Sequence, residues 1–260
     1  MILSERLRNV IELANKGEVV ADIGCDHAFV SIELVSEGLY KRAIAMDINE
    51  GPLIKAKQHI SEKHLSGKIE TRLSNGLDKL IEENVDTAII TGMGGPLIEN
   101  ILYKDIEKAK KIGRLVLGPQ SDLAHFRRFL YENSFEIFHE KYIYEDGKYY
   151  SLIVCGYNPD MNKYEEDNIS LYFEFGEKPL KFGDEILIDY LKEQNKQYSS
   201  IRSELSERLK NYYDEINNEK SLDDKSEKKL MNKIENMKKR IEDISNYLML
   251  IEKALKGGIK

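Results

Sequence analysis

VVADIGCDHAFVSIELV, residues 19–35, is the stretch on which the reading of the chain turns. An apolar run stops at an acid and a glycine, and a helical pattern begins, as where a strand passes into a helix beneath a nucleotide. Gly24 lets a ligand approach the backbone there. A pyrophosphate-binding loop of the form G-x-G-x-x-G needs further glycines at positions 26 and 29, where this chain has Asp26 and Phe29. An aspartate at the second of those positions repels a phosphate. A cationic or zwitterionic ligand suits it better, and S-adenosylmethionine (SAM), with an ammonium, a carboxylate and a sulfonium, is one.

Three further strand ends carry usable groups. AIAMDIN ends in Asp47, 23 residues beyond Gly24, where an acid takes both ribose hydroxyls; Ile48 follows it. NAD wants the same acid, so Asp47 alone does not discriminate. Ser74-Asn75-Gly76 comes after the third strand, where an amide can read an adenine edge. Thr91-Gly92-Met93-Gly94-Gly95-Pro96 comes after the fourth, the position where a methyl donor and its acceptor would meet. The candidate cofactor-binding residues are therefore Asp22, Gly24, Asp26, His27, Asp47, Ile48, Asn75, Gly76 and Gly92. Cys25 reads as a small packing residue.

The spacing of apolar residues sets these motifs in an α/β frame. Strands are expected at 19–24, 42–48, 68–74, 86–91 and 114–118, with helices at 3–16, 28–38, 52–64, 96–111 and 121–132. Gly17 is expected to stop the first helix, Pro52 and Pro96 to occupy first helical positions, and Ser121 to cap a helix. Strands and helices alternating at such short spacing imply crossovers and a mostly parallel sheet. FEIFHEKYIYEDGKYYSLIVCGY then gives two β-rich runs around Asp146-Gly147, a two-residue hairpin signal. If the strand before that turn runs parallel to the others, the turn lies at their carboxyl edge, where ligands bind.

Residues 158–185 read as a loop or adaptor. Beyond them the pattern is helical. Leu187, Leu191, Tyr198, Ile201, Leu205, Leu209, Tyr212 and Ile216 mark one helix. Leu230, Ile234, Met237, Ile241, Ile244, Leu248, Ile251 and Leu255 mark another, spaced 4 and 3 in alternation, a heptad seam. With a reversal at 217–224 they form an antiparallel hairpin whose arms are each about 45 Å long. The division expected is 1–160 for the ligand-binding α/β domain and 161–260 for a linker and coiled coil.

Composition narrows the class. Of the 260 residues, 41% are hydrophobic, enough for a core, and 33% are charged. Cys25 and Cys155 do not look like a disulfide framework, and no apolar run approaches a membrane span, so a cytoplasmic location without membrane attachment is expected. No His/Cys/carboxylate cluster has metal-ligand spacing, and no metal is expected. Residues 1–185 hold 23 basic and 32 acidic residues, whereas Lys225–Arg240 holds seven basic against two acidic. A polyanion would be held by that stretch. The heptads can pair within the chain or between chains; a monomer is the preferred reading.

Taken together, these residues resemble the bacterial tRNA (adenine-22-N1)-methyltransferases, the TrmK family. The resemblance runs through LSERL, ADIGCDHA, AMDINEGPL, SNGL, GMGG, Pro119-Gln120, EDGKYYSLIV, YFEFG and the coiled-coil tail. The family usually has Ser or Thr at position 25, Tyr-Leu-Pro at 29–31 and Gln at 118, where this chain has Cys25, Phe29-Val30-Ser31 and Gly118. The resemblance implies a class I methyltransferase domain, a helical C-terminal domain that helps hold tRNA, SAM as donor and N1 of one D-arm adenine as acceptor. Asp26, His27 and Met93 are then catalytic by positioning, since N1 carries an in-plane lone pair and needs no strong base. Gly94, Gly95, Tyr149, Tyr150, Lys228, Lys229, Lys238 and Lys239 are the candidate tRNA contacts. The rival readings are a SAM-dependent methyltransferase of another RNA or a small substrate, an NAD-linked dehydrogenase, and a non-catalytic RNA-binding module with an inert Rossmann-like domain.

Overall fold

The computed structural model describes residues 3–80, 84–218 and 224–257. Two compact units divide the chain, Met1–Asp184 and Glu185–Lys260.

The first unit is built on a seven-stranded sheet: β1 (Gly17–Ile23), β2 (Tyr40–Asp47), β3 (Ile69–Leu73), β4 (Thr87–Met93), β5 (Arg114–Pro119), β6 (Phe135–Glu145) and β7 (Lys148–Tyr157). Their order across the sheet is β3-β2-β1-β4-β5-β7-β6, with the first five parallel and β7 antiparallel to both β5 and β6. Two antiparallel steps leave β6 parallel to β5, so the turn after β6 stands at the shared carboxyl edge. Asp146 and Gly147 make that turn with φ of 50° and 76°, the two positive values that a type I′ hairpin needs.

Alternation along the central strands splits the core in two. Ala21, Ile23, Ile44, Met46, Ala88, Ile90, Leu115 and Leu117 face one layer. There α4 (Gly95–Lys104), α5 (Ile106–Ala109) and α6 (Leu123–Glu132) supply Ile98, Leu102, Ala109, Phe126 and Leu130. Val20, Ala43, Ala45, Ile89, Val116, Leu152 and Val154 face the other layer. Against them pack Val10, Ala14, Ile32, Leu34, Leu53 and Ile60 from α1 (Glu5–Ala14), α2 (Phe29–Ser36) and α3 (Glu50–Glu62). Burial on both faces is what a parallel sheet requires.

Several local expectations are corrected. The first helix ends at Asn15, which takes φ 64°, so Gly17 is free to open β1. Pro52 is the third residue of α3 rather than the first, and Pro96 the second of α4; both still lie in the first turn, where the missing N–H leaves no bond unmade. The helix expected over 96–111 breaks at Asp105, which leaves helical geometry and pairs with Lys108 at 2.9 Å. Ser121 caps nothing: α6 begins after Asp122, which is left-handed at φ 54° and makes no side-chain cap bond.

The segment expected as loop or adaptor holds a 3₁₀ turn (Glu166–Asn168), α7 (Ile169–Phe175) and α8 (Glu177–Phe182). Arg127 of α6 ties it to the sheet. Its guanidinium donates to Glu140 Oε1 at 2.7 and 2.9 Å, to Tyr142 Oη at 3.1 Å, and to the carbonyls of Phe173 and Glu174 at 2.8 and 2.7 Å. Ser151 donates to the same carboxylate oxygen at 2.7 Å. Arg127 and Glu140 are 2% and 3% exposed, so the pair is a fully desolvated rivet. Gly176 (φ 86°) has no Cβ because the Glu140 carboxylate occupies that space.

The second unit consists of α9 (Glu185–Asn218) and α10 (Asp224–Leu255). Tyr198 meets Tyr247 edge-on, Tyr212 receives Lys233, and Tyr213 receives Lys238, so the contacts from 198 to 212 on one helix run from 247 down to 233 on the other. The helices are antiparallel. Leu205, Leu230, Ile234, Ile244, Leu248 and Ile251 are buried in the unit. The reversal expected at 217–224 lies largely outside the described residues.

Candidate active site

The turn after β1 is pinned by its backbone. Gly24 and Cys25 N–H both donate to the Met46 carbonyl, at 2.8 and 2.9 Å, which locks the end of β1 to the end of β2. Ala28 N–H then donates to the Cys25 carbonyl at 2.7 Å. Three of these five residues are left-handed: Gly24 at φ 72°, Asp26 at 50° and Ala28 at 59°. For the two that are not glycine this conformation costs about 1–2 kcal/mol each, strain of the sort found where function constrains a backbone. A Cβ on Gly24 would collide with Met93 Cε, so the glycine also lets the fourth strand's loop close over the first.

Two carboxylates are set by this frame. Asp22 is 5% exposed, and Ser31 Oγ donates to its Oδ2 at 2.7 Å. Burial pushes the Asp22 carboxyl up to about 6; the hydrogen bonds from Ser31 oppose the shift, and neighbouring Asp47 adds to it. Asp47 Oδ1 accepts the Asn49 N–H at 2.9 Å, and the Asp47 carbonyl accepts Ser74 N–H at 2.8 Å, which joins the second strand end to the third. Ser74 Oγ donates to the Gly76 carbonyl at 2.9 Å and accepts Lys79 N–H at 3.2 Å, holding the Ser74-Asn75-Gly76 turn. Cys25 is buried, and burial and the two carboxylates push its thiol up, which leaves it a packing group.

Asp26 and His27 stand at the rim. The Asp26 side chain is exposed, 3.5 Å from His27 Nε2. The rings of His27, Phe29 and His59 form a cluster with centroids 5.1–5.6 Å apart. His59 Nδ1 lies 3.2 Å from the His27 carbonyl, which can only accept, so that nitrogen carries the proton. On the fourth strand's side, Gln120 N–H donates to the Met93 carbonyl and Gly95 N–H to the Ser121 carbonyl, at 2.9 and 3.2 Å. The approach at Gly95 is so close that a Cβ would strike the Ser121 oxygen.

These elements enclose a cavity of about 570 Å³ at the carboxyl edge of β1, β2, β3 and β4. Asp22, Gly24, Asp26, His27, Asp47, Ile48, Asn75, Gly76, Gly92 and Met93 all line it. Gly94 and Gly95 sit behind it at the start of α4, outside the lining. Tyr149 and Tyr150 lie on β7, also outside the lining: Tyr149 packs on Tyr144 at 4.7 Å, and Tyr150 lies under the Arg6 guanidinium at 5.0 Å. Lys228, Lys229, Lys238 and Lys239 are exposed on α10 of the second unit. The cavity adds residues that spacing did not single out, among them Arg6, Asn49, Leu97, Ile101 and Gln120. Arg6 falls within LSERL, a stretch with a family signature but no chemistry of its own to mark it.

A parallel sheet whose strand order reverses between β1 and β4, an antiparallel β7, and a strand-end cavity with an acidic turn define a class I methyltransferase fold. The methyltransferase-domain family model matches residues 3–153. Over 153 residues, 59% of this chain, the sequence is 36% identical to the Bacillus subtilis (strain 168) tRNA (adenine(22)-N(1))-methyltransferase. That match spans 64% of the Bacillus protein, under two-thirds of its length. Among solved structures, M. capricolum TrmK in complex with S-adenosylhomocysteine (SAH) is 31% identical with a TM-score of 0.70, covering 96% of this chain and 100% of that one. The B. subtilis m1A22 tRNA methyltransferase TrmK is 25% identical with a TM-score of 0.76, covering 98% and 99%. The chain belongs to the TrmK family of methyltransferase-domain proteins.

Proposed function

We propose that the protein transfers a methyl group from SAM to N1 of adenine 22 in the D-arm of tRNA. The observation that carries this is the Gly24–Ala28 turn, which lays the Asp26 carboxylate rather than a glycine amide over the cavity, beside Asp22 and Asp47 at the two strand ends. Asp22, Asp26 and Asp47 make the cavity attractive to an ammonium and a sulfonium and hostile to a pyrophosphate. SAM, when bound, supplies the electrophilic methyl group.

The chain's own residues bind, orient and exclude water. Asp47 takes the ribose hydroxyls, Ile48 and the Asn75-Gly76 turn receive the adenine, and Asp22, Gly24 and Gly92 receive the amino-acid portion. Met93, closed over Gly24, shapes the passage to the acceptor. Adenine N1 needs alignment rather than a base, and the ring becomes cationic on methylation, so the exposed Asp26 carboxylate beside His27 stabilises the developing charge. An adenine in a stacked arm must be turned out before its N1 is reachable. Gly94, Gly95 and the hairpin tyrosines Tyr149 and Tyr150 flank the acceptor side. Residues 1–160 carry the cofactor site; residues 161–260, through Lys228, Lys229, Lys238 and Lys239, hold tRNA phosphates without sequence choice. A cytoplasmic location goes with that substrate, and no helix of the described residues is long and apolar enough to cross a membrane.

Label incorporation from methyl-labelled SAM into tRNA transcripts tests the proposal. Incorporation with adenosine at position 22 and none with guanosine there is expected. Equal incorporation into both would move the target to another base, and none into either would remove tRNA as the substrate.

A further inference from the structure

Arg6 is the one Lys or Arg side chain among the described residues lining the cavity. Everything else charged at the wall is acidic: Asp22, Asp26 and Asp47. The arginine is held firmly. Its backbone N–H donates to Glu145 Oε1 at 3.1 Å, and Ser4 caps the same helical turn through Leu7 N–H at 3.3 Å. The guanidinium lies over the Tyr150 ring, 5.0 Å from its centroid. Yet its side chain donates no hydrogen bond among the described residues: the inward Nε has no partner, and its carboxylate neighbour Glu145 stands at 4.0 Å, beyond hydrogen-bond reach. The side chain is 25% exposed at the wall of a ligand cavity, so the outer edge of the guanidinium is open to an acceptor from outside the chain.

We infer that Arg6 binds an anionic oxygen group of the ligand, which makes this cavity selective for a molecule that is cationic at one point and anionic at another. The inference rests on the SAM-dependent reading given above. Two sources offer that chemistry: the carboxylate of the donor's amino-acid moiety, and a phosphate flanking the acceptor nucleotide. Tyr150 then acts through Arg6, as the platform that keeps the guanidinium flat.

The test compares wild type, Arg6→Gln and Arg6→Lys in the full chain. It uses calorimetry with SAH and with 5′-methylthioadenosine, which lacks the amino-acid moiety, and steady-state methylation of a tRNA transcript. A carboxylate partner predicts that Arg6→Gln weakens SAH roughly 10- to 100-fold, the worth of a charge-assisted hydrogen bond, while methylthioadenosine is unchanged. A phosphate partner predicts unchanged SAH affinity and a similar fall in kcat/KM for tRNA. In both cases Arg6→Lys, which keeps the charge and loses the fork, falls between the other two, and it carries the test if Arg6→Gln does not fold. All three readouts within twofold of wild type, or equal weakening of SAH and methylthioadenosine, would overturn the inference. Wild-type protein that binds neither small ligand would overturn the SAM reading and the inference with it.

Discussion

Asp47 is the residue whose removal reports most simply on the cavity. It stands at the end of β2 with one oxygen engaged by Asn49 N–H, so the carboxylate is oriented before any ligand arrives. Asp47→Ala is expected to weaken SAH by about 1.5–3 kcal/mol, measured by calorimetry, with the melting temperature held as a control. Asp22 gives a pH signature instead. Its folded-state value is raised from the ordinary 3.8 to about 6, so without ligand the protein loses stability as pH rises from 3.8 through 6, by about 3 kcal/mol in all. A bound cation favours the ionised form and reverses that preference. Affinity for SAH is therefore expected to fall about fivefold between pH 6 and pH 5, with proton release on binding near pH 5 to 6. Flat affinity across that range would place the ligand's cation away from Asp22. Ser31→Ala removes the 2.7 Å donor and moves the same transition to higher pH. At this scale the sequence was legible wherever a residue type contradicted a known fingerprint, as Asp26 did. Arg6 was not, because its partners Glu145 and Tyr150 lie some 140 residues away and only the fold brings them together.

The elements were legible where periodicity was long and obscure where a single tertiary contact decided. Alternating apolar runs gave the five parallel strands, and Asp146-Gly147 gave the hairpin, because each pattern is local. The helices of 169–182 were not visible. YFEFG buries Tyr172, Phe173 and Phe175 in too short a run to show a period, and their position is fixed by Arg127 reaching two of their carbonyls. The break at Asp105 and the start of α6 after Asp122 likewise depend on one backbone angle each. The rivet makes a direct prediction. Arg127→Met leaves Glu140 charged and buried without its cation, and is expected to cost about 3–5 kcal/mol in chemical denaturation. Arg127→Met with Glu140→Gln should recover most of that loss. A single variant within about 1 kcal/mol of wild type would show that the 166–182 segment is held by its aromatic packing alone.

Across the whole molecule, sequence and fold resemblance cover different ground. Identity to the B. subtilis enzyme is 36% over 153 residues, whereas the solved B. subtilis structure aligns with 98% of the chain at 25% identity. A strand-end site constrains particular residues; an antiparallel coil constrains only its seam, and any polar surface satisfies the rest. The lysines of α10 were therefore readable as charge but not as a site. Neutralising Lys228, Lys229, Lys238 and Lys239 together is expected to weaken tRNA binding and flatten its salt dependence, by a slope of roughly 0.7–0.9 for each phosphate that is no longer neutralised, while SAH affinity stays unchanged. Undiminished tRNA binding would reject the coil as an arm. Primer extension across tRNA incubated with the protein and SAM reads the methylated position directly. A methyl on adenine N1 blocks the pairing edge, so a strong stop one nucleotide before position 22 is expected, and it disappears when SAM is left out. Read-through at that position by reverse transcriptase, with SAH binding shown on the same preparation, would contradict it.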